Sequence, residues 1–248
     1  MPRQTRTAIM AALTVVACLS GAPDRPAAAE EVSGAIVTMY QRFGENDYPS
    51  TSIRIAQFEE HLEELKKERY TVRPLPEIVE ALKTGKPLAD RTIAITVDDA
   101  YLSVYEHAWP RLKAAGLPFT LFVATGVIDR KIPGYMSWDQ IRELKEAGVT
   151  IGSQTQAHPH MTTLDRQALK RELADSNQRF VEELGEKPSL FAYPYGEYSL
   201  MVRQAVAEAG FSAAFGQHSG VAYDGMDHFT LPRFALNERY GGIDRFRL

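Results

Sequence analysis

The apolar residues of the chain fall into short continuous runs that alternate with longer amphipathic stretches. The runs at 35–39 and 92–97 are apolar almost throughout, which predicts strands that are buried on both faces. The stretch from 56 to 70 carries apolar residues at helical spacing among charged ones. Regular alternation of such elements predicts an α/β domain with a mostly parallel sheet.

A repeated local pattern strengthens this interpretation. Four times a helical stretch ends at a glycine and a short apolar strand follows, at Gly116, Gly148, Gly185 and Gly210. Glycine is favoured at this position because the residue after a helix often takes a positive φ. About seven strands are counted without an obvious chain reversal, so we expect a barrel-like parallel sheet in a single domain.

Helix starts are also marked in the sequence. Ser137 and Gln140 have the spacing of a capping box, which predicts a helix beginning there. Thr162 or Thr163 is the expected cap of the long helical run that ends near Leu184.

The first 29 residues have the order of a secretory leader. Arg3 and Arg6 precede an apolar run at 8–19, and the alanines at 27–29 offer a cleavage site. We therefore expect a leader at 1–29, a single domain at 30–248, and export to the periplasm or the medium.

Val15–Cys18 also looks like a bacterial lipobox, so lipid anchoring at Cys18 is the alternative, and the only expected membrane contact. Cys18 is the sole cysteine, so disulfides, thiolate zinc sites and a cysteine nucleophile are excluded from the domain.

Composition and charge exclude other classes. Of 248 residues, 44% are hydrophobic and 24% charged, which is typical of globular proteins. The net charge of −4 leaves no basic excess to neutralise a phosphate backbone. We therefore expect no nucleic-acid partner.

Polar clusters follow three of the predicted strands. Asp98 and Asp99 come after the strand at 92–97, a segment containing Gln154, His158 and His160 follows the strand at 149–151, and 193–197 follows the strand at 189–192. In parallel α/β sheets the carboxyl ends of the strands form the ligand-binding edge. The three clusters should therefore share one rim.

Each cluster allows a structural and a chemical interpretation. Adjacent carboxylates repel each other, and a cation would relieve this, with one aspartate as ligand and the other as base. His158 and His160 could chelate the same ion, with Gln154 near enough to join. The Tyr195 backbone N–H could stabilise an oxyanion beside the metal. The structural alternatives are a solvated loop or helix cap for the two aspartates, exposed loop histidines for the second cluster and a rigid turn for the third. The chemical alternative is that Asp98 is one of two carboxylates that flank a glycosidic bond.

Three motifs then carry a family resemblance. Thr96–Asp99, Gly152–Pro159 and Phe191–Gly196, in this order, resemble the polysaccharide deacetylase family, carbohydrate esterase family four. The resemblance extends over about residues 34–240. It implies a distorted (β/α) barrel that removes N- or O-acetyl groups from an acetylated polysaccharide with a divalent metal, zinc in the first instance and cobalt, manganese or nickel as alternatives.

The resemblance also implies roles for individual residues. Asp98 matches the general base, Asp99 and His158 match metal ligands, and Tyr195 matches the residue whose backbone N–H forms the oxyanion hole. Gln154 stands at the first metal histidine, so the third ligand would be Gln154 or His160.

Other positions depart from the family pattern. Ala192 replaces the arginine expected before the motif proline, and Arg233 is the candidate to pair with Asp98 in its place. Gln41 stands where relatives often show histidine. The late general-acid histidine has no clear match, and His218 is the candidate, with an exposed loop histidine as the alternative.

Two functions follow from these residues. The first is a metal-dependent hydrolase that removes acetyl groups, N-acetyl foremost, from a cell-envelope or extracellular polysaccharide. The second is a catalytically silent glycan-binding module that keeps the fold. Four aromatic residues near the rim could stack on sugar rings, or they could simply bridge the core and the solvent, as Tyr and Trp commonly do. Three histidines are expected at the surface or partly packed. The aromatics are Tyr101, Tyr135, Trp138 and Tyr198; the histidines are His61, His107 and His228.

Overall fold

A computed structural model describes residues 33–247. The leader predicted at 1–29, with its cleavage site and the alternative anchor at Cys18, lies outside the described residues. Between residues 33 and 247, none of the helices combines the length and the apolar character that crossing a bilayer requires.

Eleven strands occur in the described part of the chain, and nine of them form one sheet. The strands are β1 Gly34–Tyr40, β2 Arg42–Phe43, β3 Ser52–Ile53, β4 Thr71–Val72, β5 Thr92–Val97, β6 Phe119–Val123, β7 Thr150–Ser153, β8 Leu190–Ala192, β9 Ala213–Phe215, β10 Ala222–Tyr223 and β11 Phe234–Ala235.

The main sheet is parallel except at one edge. Its order is β10-β1-β5-β6-β7-β8-β9, with β4 beside β5 and β11 beside β1, and only β10 runs antiparallel to its neighbour β1. All six residues of β5 are buried, as its continuous apolar run predicts for a strand covered on both faces.

The sheet curls until its two ends approach each other. After β9, the chain forms a bridge between Phe215 and Leu231, and a few residues later β11 pairs with β1 in parallel register. The segment 231–236 therefore spans from the last long strand to the first. The expected distorted (β/α) barrel in a single domain is confirmed.

Eight α-helices lie in the described part of the chain. They are α1 Ile55–Leu65, α2 Leu75–Thr84, α3 Trp109–Ala114, α4 Thr125–Asp129, α5 Trp138–Glu146, α6 Arg166–Leu184, α7 Leu200–Glu208 and α8 Ile243–Phe246.

The helix caps match the sequence in one case and correct it in another. Ser137 and Gln140 form the predicted capping box at the start of α5. The cap of α6 is Asp165, whose side chain accepts from the Ala168 N–H at 2.7 Å, rather than Thr162 or Thr163. Those threonines lie in a separate 3₁₀ turn before the helix.

Candidate active site

A cleft of about 580 Å³ opens at the carboxyl ends of the parallel strands. The loops after β1, β5 and β7 line it, together with the turn after β8 and the segment after β11. Among its lining residues are Gln41, Asp99, Tyr101, Tyr135, His158 and Tyr195. The three predicted polar clusters therefore do meet at one rim.

Asp98 lies at the end of β5 in a fully buried ion pair. Both the Asp98 and Arg233 side chains have 0% exposure. Arg233 donates from Nη1 to Oδ1 and from Nη2 to Oδ2, each at 2.7 Å. Its Nε donates to the Gly216 carbonyl at 2.9 Å. The structure thus brings together the two residues that the sequence interpretation paired.

The electrostatics of this pair combine two opposing effects. Burial raises the pKa of Asp98 above that of an exposed aspartate, and the charge and hydrogen bonds of Arg233 oppose this rise. The two-pronged contact fixes the plane of the carboxylate. Each carboxylate oxygen can accept more than one hydrogen bond, so Asp98 keeps acceptor capacity beyond Arg233.

Asp99 and His158 face each other across the floor of the cleft. The Asp99 Oδ1 atom lies 3.4 Å from His158 Nε2, and both atoms are buried without a hydrogen-bond partner. Buried polar atoms in proteins are almost always paired. Two unpaired ligand-type atoms that face each other therefore mark a place where a further group belongs.

The second carboxylate oxygen and the backbone N–H of Asp99 are both hydrogen-bonded. Its Oδ2 accepts from Gln41 Nε2 at 3.1 Å, and its backbone N–H donates to Gln154 Oε1 at 3.2 Å. Only Oδ1 is left free. The hydrogen bonds around Asp99 therefore orient one carboxylate oxygen toward His158.

The geometry of this pair fits a small divalent cation. In a tetrahedral site with bonds of roughly 2.0–2.1 Å, two ligand atoms are about 3.3 Å apart, close to the observed 3.4 Å. Within residues 33–247, however, no cluster of three or more His, Cys, Asp and Glu side chains is arranged to hold an ion. Asp99 and His158 are therefore the two acidic or imidazole ligands that the site offers.

Neither candidate for the third ligand joins these two atoms. Gln154 directs its amide oxygen at the Asp99 backbone. His160 places Nδ1 2.9 Å from Glu197 Oε2, and its ring stacks on that of Tyr195 with centroids 4.1 Å apart. Its side chain is 55% exposed. His160 does not reach the two unpaired atoms because Glu197 and Tyr195 hold its ring at the rim of the cleft.

His218 lies away from the cleft lining. Its side chain is exposed, with its ring near Gly216 and 6.3 Å from that of Tyr198. Its backbone carbonyl accepts from the Arg233 N–H at 3.0 Å. His218 therefore contacts the site through its main chain, because the loop at 216–220 turns the imidazole outward.

The predicted aromatic residues divide into two groups. Tyr101 and Tyr135 line the cleft with ring centroids 4.6 Å apart. Trp138 is instead buried and donates to Asp129, and Tyr198 packs on Tyr193. The sequence interpretation did not include Tyr240, which completes the far wall and lies after the short strand β11.

Backbone strain is concentrated around this cleft. In the described part of the chain, seven non-glycine residues have a positive φ. Five of them lie in the three loops of the site, namely Asp99, Ala100, Thr155, His158 and Tyr195. Such conformations persist only where surrounding contacts hold them, and they cluster at functional sites.

Comparison with known proteins agrees with this geometry. The family model described as polysaccharide deacetylase matches residues 85–214, just over half of the chain. The chain belongs to the polysaccharide deacetylase family. The resemblance drawn from its three motifs is thereby confirmed.

Individual family members can be compared directly. The Bacillus subtilis (strain 168) protein YxkH is 26% identical over 186 residues, covering 75% of this chain and 66% of that protein. The poly-beta-1,6-N-acetyl-D-glucosamine N-deacetylase of Staphylococcus aureus (strain MSSA476) is 23% identical over 201 residues, covering 75% and 68%. The alignments thus span about two thirds of each relative.

A solved structure shows the same fold. The Streptococcus pyogenes deacetylase PplD, in complex with acetate, superimposes with a TM-score of 0.80 at 21% identity, covering 87% of this chain and 97% of that one. At this identity the similarity concerns the fold, which is that of a polysaccharide deacetylase.

Proposed function

We propose that this chain is a metal-dependent hydrolase that removes N-acetyl groups from an extracellular or cell-envelope polysaccharide. The observation that carries the proposal is the pair of unpartnered atoms, Asp99 Oδ1 and His158 Nε2, at the floor of a cleft beside the buried Asp98–Arg233 pair. Family membership, together with the similarity to the poly-beta-1,6-N-acetyl-D-glucosamine N-deacetylase of Staphylococcus aureus, supports the same reaction.

In this proposal, Asp99 and His158 would hold a divalent cation. Zinc is the first candidate, and cobalt, manganese and nickel are the alternatives. The cation would supply Lewis-acid polarisation of the acetyl carbonyl and of water. Gln41 orients the Asp99 carboxylate from its second oxygen, which is the kind of outer contact that fixes metal ligands.

The protein's own residues would perform the proton transfer and hold the substrate. Asp98 would accept the proton from the attacking water and pass it to the leaving nitrogen as the carbon–nitrogen bond breaks, while Arg233 would hold its carboxylate in plane and favour its ionised form. The Tyr195 backbone N–H would donate to the developing oxyanion. The imidazole of His218, the general-acid candidate from the sequence, is exposed and is not among the residues that line the cleft.

The side chains that line the cleft favour an uncharged substrate. Its lining contains one carboxylate, Asp99, and one histidine, His158, but no lysine or arginine. A sugar bearing a carboxylate would therefore find no cationic side chain in this lining to pair with. Four tyrosines of the lining offer faces for sugar rings, namely Tyr101, Tyr135, Tyr195 and Tyr240. A neutral N-acetylhexosamine polymer fits this chemistry.

Acetate release tests the proposed reaction. The metal-free protein would be incubated with oligomers of N-acetylglucosamine in β-1,6 and β-1,4 linkage, without metal and with Zn²⁺, Co²⁺, Mn²⁺ or Ni²⁺. We expect metal-dependent release of acetate and of free amines from the neutral oligomers. The proposal is wrong if neither product appears with any of the four metals. An oligomer in which N-acetylglucosamine alternates with a carboxylate-bearing sugar should release acetate more slowly.

The location is also a proposal. If residues 1–29 act as a leader, the protein is exported and acts on a polysaccharide outside the cytoplasm. Lipid on Cys18 would then be its only attachment to the membrane. Fractionation of cells that express the full chain and a Cys18→Ser variant tests this. Lipid anchoring predicts that the substitution moves the protein out of the membrane fraction.

A glycan-binding module without catalysis is the second candidate. Two observations favour it: the absence of a three-residue acidic or histidine cluster among residues 33–247, and the position of His218 outside the cleft. This candidate predicts binding of N-acetylglucosamine oligomers in the metal-free protein and no acetate release after metal is added.

A further inference from the structure

Gln154 occupies a buried position directly behind Asp99. Its side chain is 1% exposed, its backbone N–H donates to the Val123 carbonyl at 2.9 Å, and its Oε1 accepts from the Asp99 N–H at 3.2 Å. We infer that Gln154 is a positioning residue that fixes the Asp99 backbone, and that it keeps this role when a metal is bound instead of becoming a ligand.

The chemistry of the amide decides the orientation. A backbone N–H needs an acceptor, and only the oxygen of a glutamine amide can accept. The oxygen of Gln154 must therefore face Asp99 N, and the NH₂ group occupies the other position. An NH₂ group carries no lone pair for a cation. In this orientation the side chain supports Asp99 from behind.

The backbone of Asp99 needs such support. Asp99 has a φ of 73° and Ala100 a φ of 52°, so two consecutive residues lie in the left-handed region that L-amino acids rarely adopt. The Ala100 carbonyl is held by the Met136 N–H at 2.9 Å. The matching contact on the other side of the turn is the hydrogen bond from Asp99 N to Gln154.

This turn determines where the Asp99 carboxylate points. With the backbone held by Gln154 and Oδ2 held by Gln41, the free Oδ1 faces His158 Nε2. If the hydrogen bond to Gln154 is lost, Asp99 can leave the left-handed conformation and carry Oδ1 away from His158. Gln154 would thus act on metal affinity through Asp99. The inference rests on the proposed function, because it takes the partner of Oδ1 and Nε2 to be a metal ion.

The test uses the full chain and does not depend on catalysis. Hydrogen exchange at the Asp99 amide is measured by NMR in the metal-free protein and after saturation with Zn²⁺, and Co²⁺ affinity is measured by titration. The variants are Gln154→Met, which has a similar length and no acceptor oxygen, and Gln154→Glu, which keeps an oxygen. Gln156→Met is the matched control, because the Gln156 side chain makes no hydrogen bond within residues 33–247.

The expected results separate positioning from ligation. In the parent protein the Asp99 amide should stay protected with and without Zn²⁺. Gln154→Met should lose this protection and weaken Co²⁺ binding by about 10–100-fold, the usual effect of removing an outer-shell contact. Gln154→Glu should restore the protection, and Gln156→Met should behave like the parent.

Two results would overturn the inference. One is loss of Asp99 amide protection when Zn²⁺ is added to the parent protein, since Gln154 would then have turned to the ion. The other is unchanged Co²⁺ affinity in a folded Gln154→Met variant. Neither result depends on acetate release, so a chain that binds metal without hydrolysing the substrate would refute the proposed reaction and leave this inference standing.

Discussion

Arg233 reaches Asp98 from 135 positions further along the chain and donates to both of its carboxylate oxygens. The two side chains are completely buried. An ion pair in such a place depends on both partners, because either charge alone would be buried without compensation.

Substitution of Arg233 should therefore destabilise the fold. We expect Arg233→Met to lower the free energy of unfolding by about 3–5 kcal/mol, as measured by urea denaturation. Arg203→Met is the control, because Arg203 makes a similar two-pronged contact with Asp227 at the surface. The control should lose less than about 1 kcal/mol. Equal losses in the two variants would show that burial of the Asp98 pair is energetically unimportant.

Replacement of the base should separate catalysis from metal binding. Asp98→Asn removes the carboxylate that accepts the proton, so we expect acetate release to fall by about 10²–10⁴-fold. Co²⁺ binding should persist, because Asp99 and His158 are untouched. Asp227→Asn, at the exposed pair with Arg203, should keep its rate. A folded Asp98→Asn variant with full activity would remove Asp98 from the mechanism.

The two histidines of the loop after β7 should differ in their effect on the metal. His158→Ala removes an imidazole from the unpartnered pair, and we expect Co²⁺ affinity to fall by more than about 100-fold, beyond the range of an outer-shell change. His160→Ala removes a ring that Glu197 and Tyr195 hold at the rim, so its affinity should stay close to that of the parent. If His160→Ala abolished binding as well, both histidines would be ligands.

His61 should make the stability of the fold depend on pH. The sequence interpretation expected His61 at the surface or partly packed, which is wrong. It is fully buried, with Nδ1 2.9 Å from the Tyr40 hydroxyl and Nε2 2.9 Å from the Gly241 carbonyl. Burial lowers the pKa of His61 from 6.5 to about 4, so the neutral ring is preferred in the folded state.

The direction of the effect follows from this lowered pKa. Above pH 6.5 the ring is neutral in both states and its contribution is complete. As the pH falls from 6.5 to about 4, the unfolded chain takes up a proton first and about 3 kcal/mol of stability is lost. Urea denaturation between pH 7.5 and pH 4 checks this. His61→Gln should flatten the curve, whereas His107→Gln, at a half-buried histidine, should leave its slope unchanged.

Local sequence patterns were sufficient to predict the strands, the helix ends and the ligand-binding edge of the sheet. The apolar run of β5 predicted a strand covered on both faces, and therefore placed Asp98 and Asp99 at the ligand-binding edge. The glycine pattern predicted helix ends, and Gly148 and Gly210 have the positive φ that this requires. Periodicity and capping are local properties, so a single sequence carries them in full.

Side-chain direction was harder to predict, because it depends on contacts between distant segments. Gln154 and His160 lie near His158 in the sequence, but Gln154 accepts a hydrogen bond from a backbone N–H in the turn after β5, and His160 contacts Glu197. His61 looked like one more polar residue of an amphipathic helix, and only the return of the chain at Gly241 buries it. The positive φ of Asp99 and His158 likewise has no counterpart in the residue pattern.

The closing segment 231–236 links assembly of the barrel to assembly of the site. Arg233 arrives on the same few residues that join β9 to β1. Until that stretch docks, the interior of the sheet contains an acidic group with no counter-charge. Competence for proton transfer therefore requires this segment to be docked, and a chain that ends before residue 231 would lack the counter-charge of its proton acceptor.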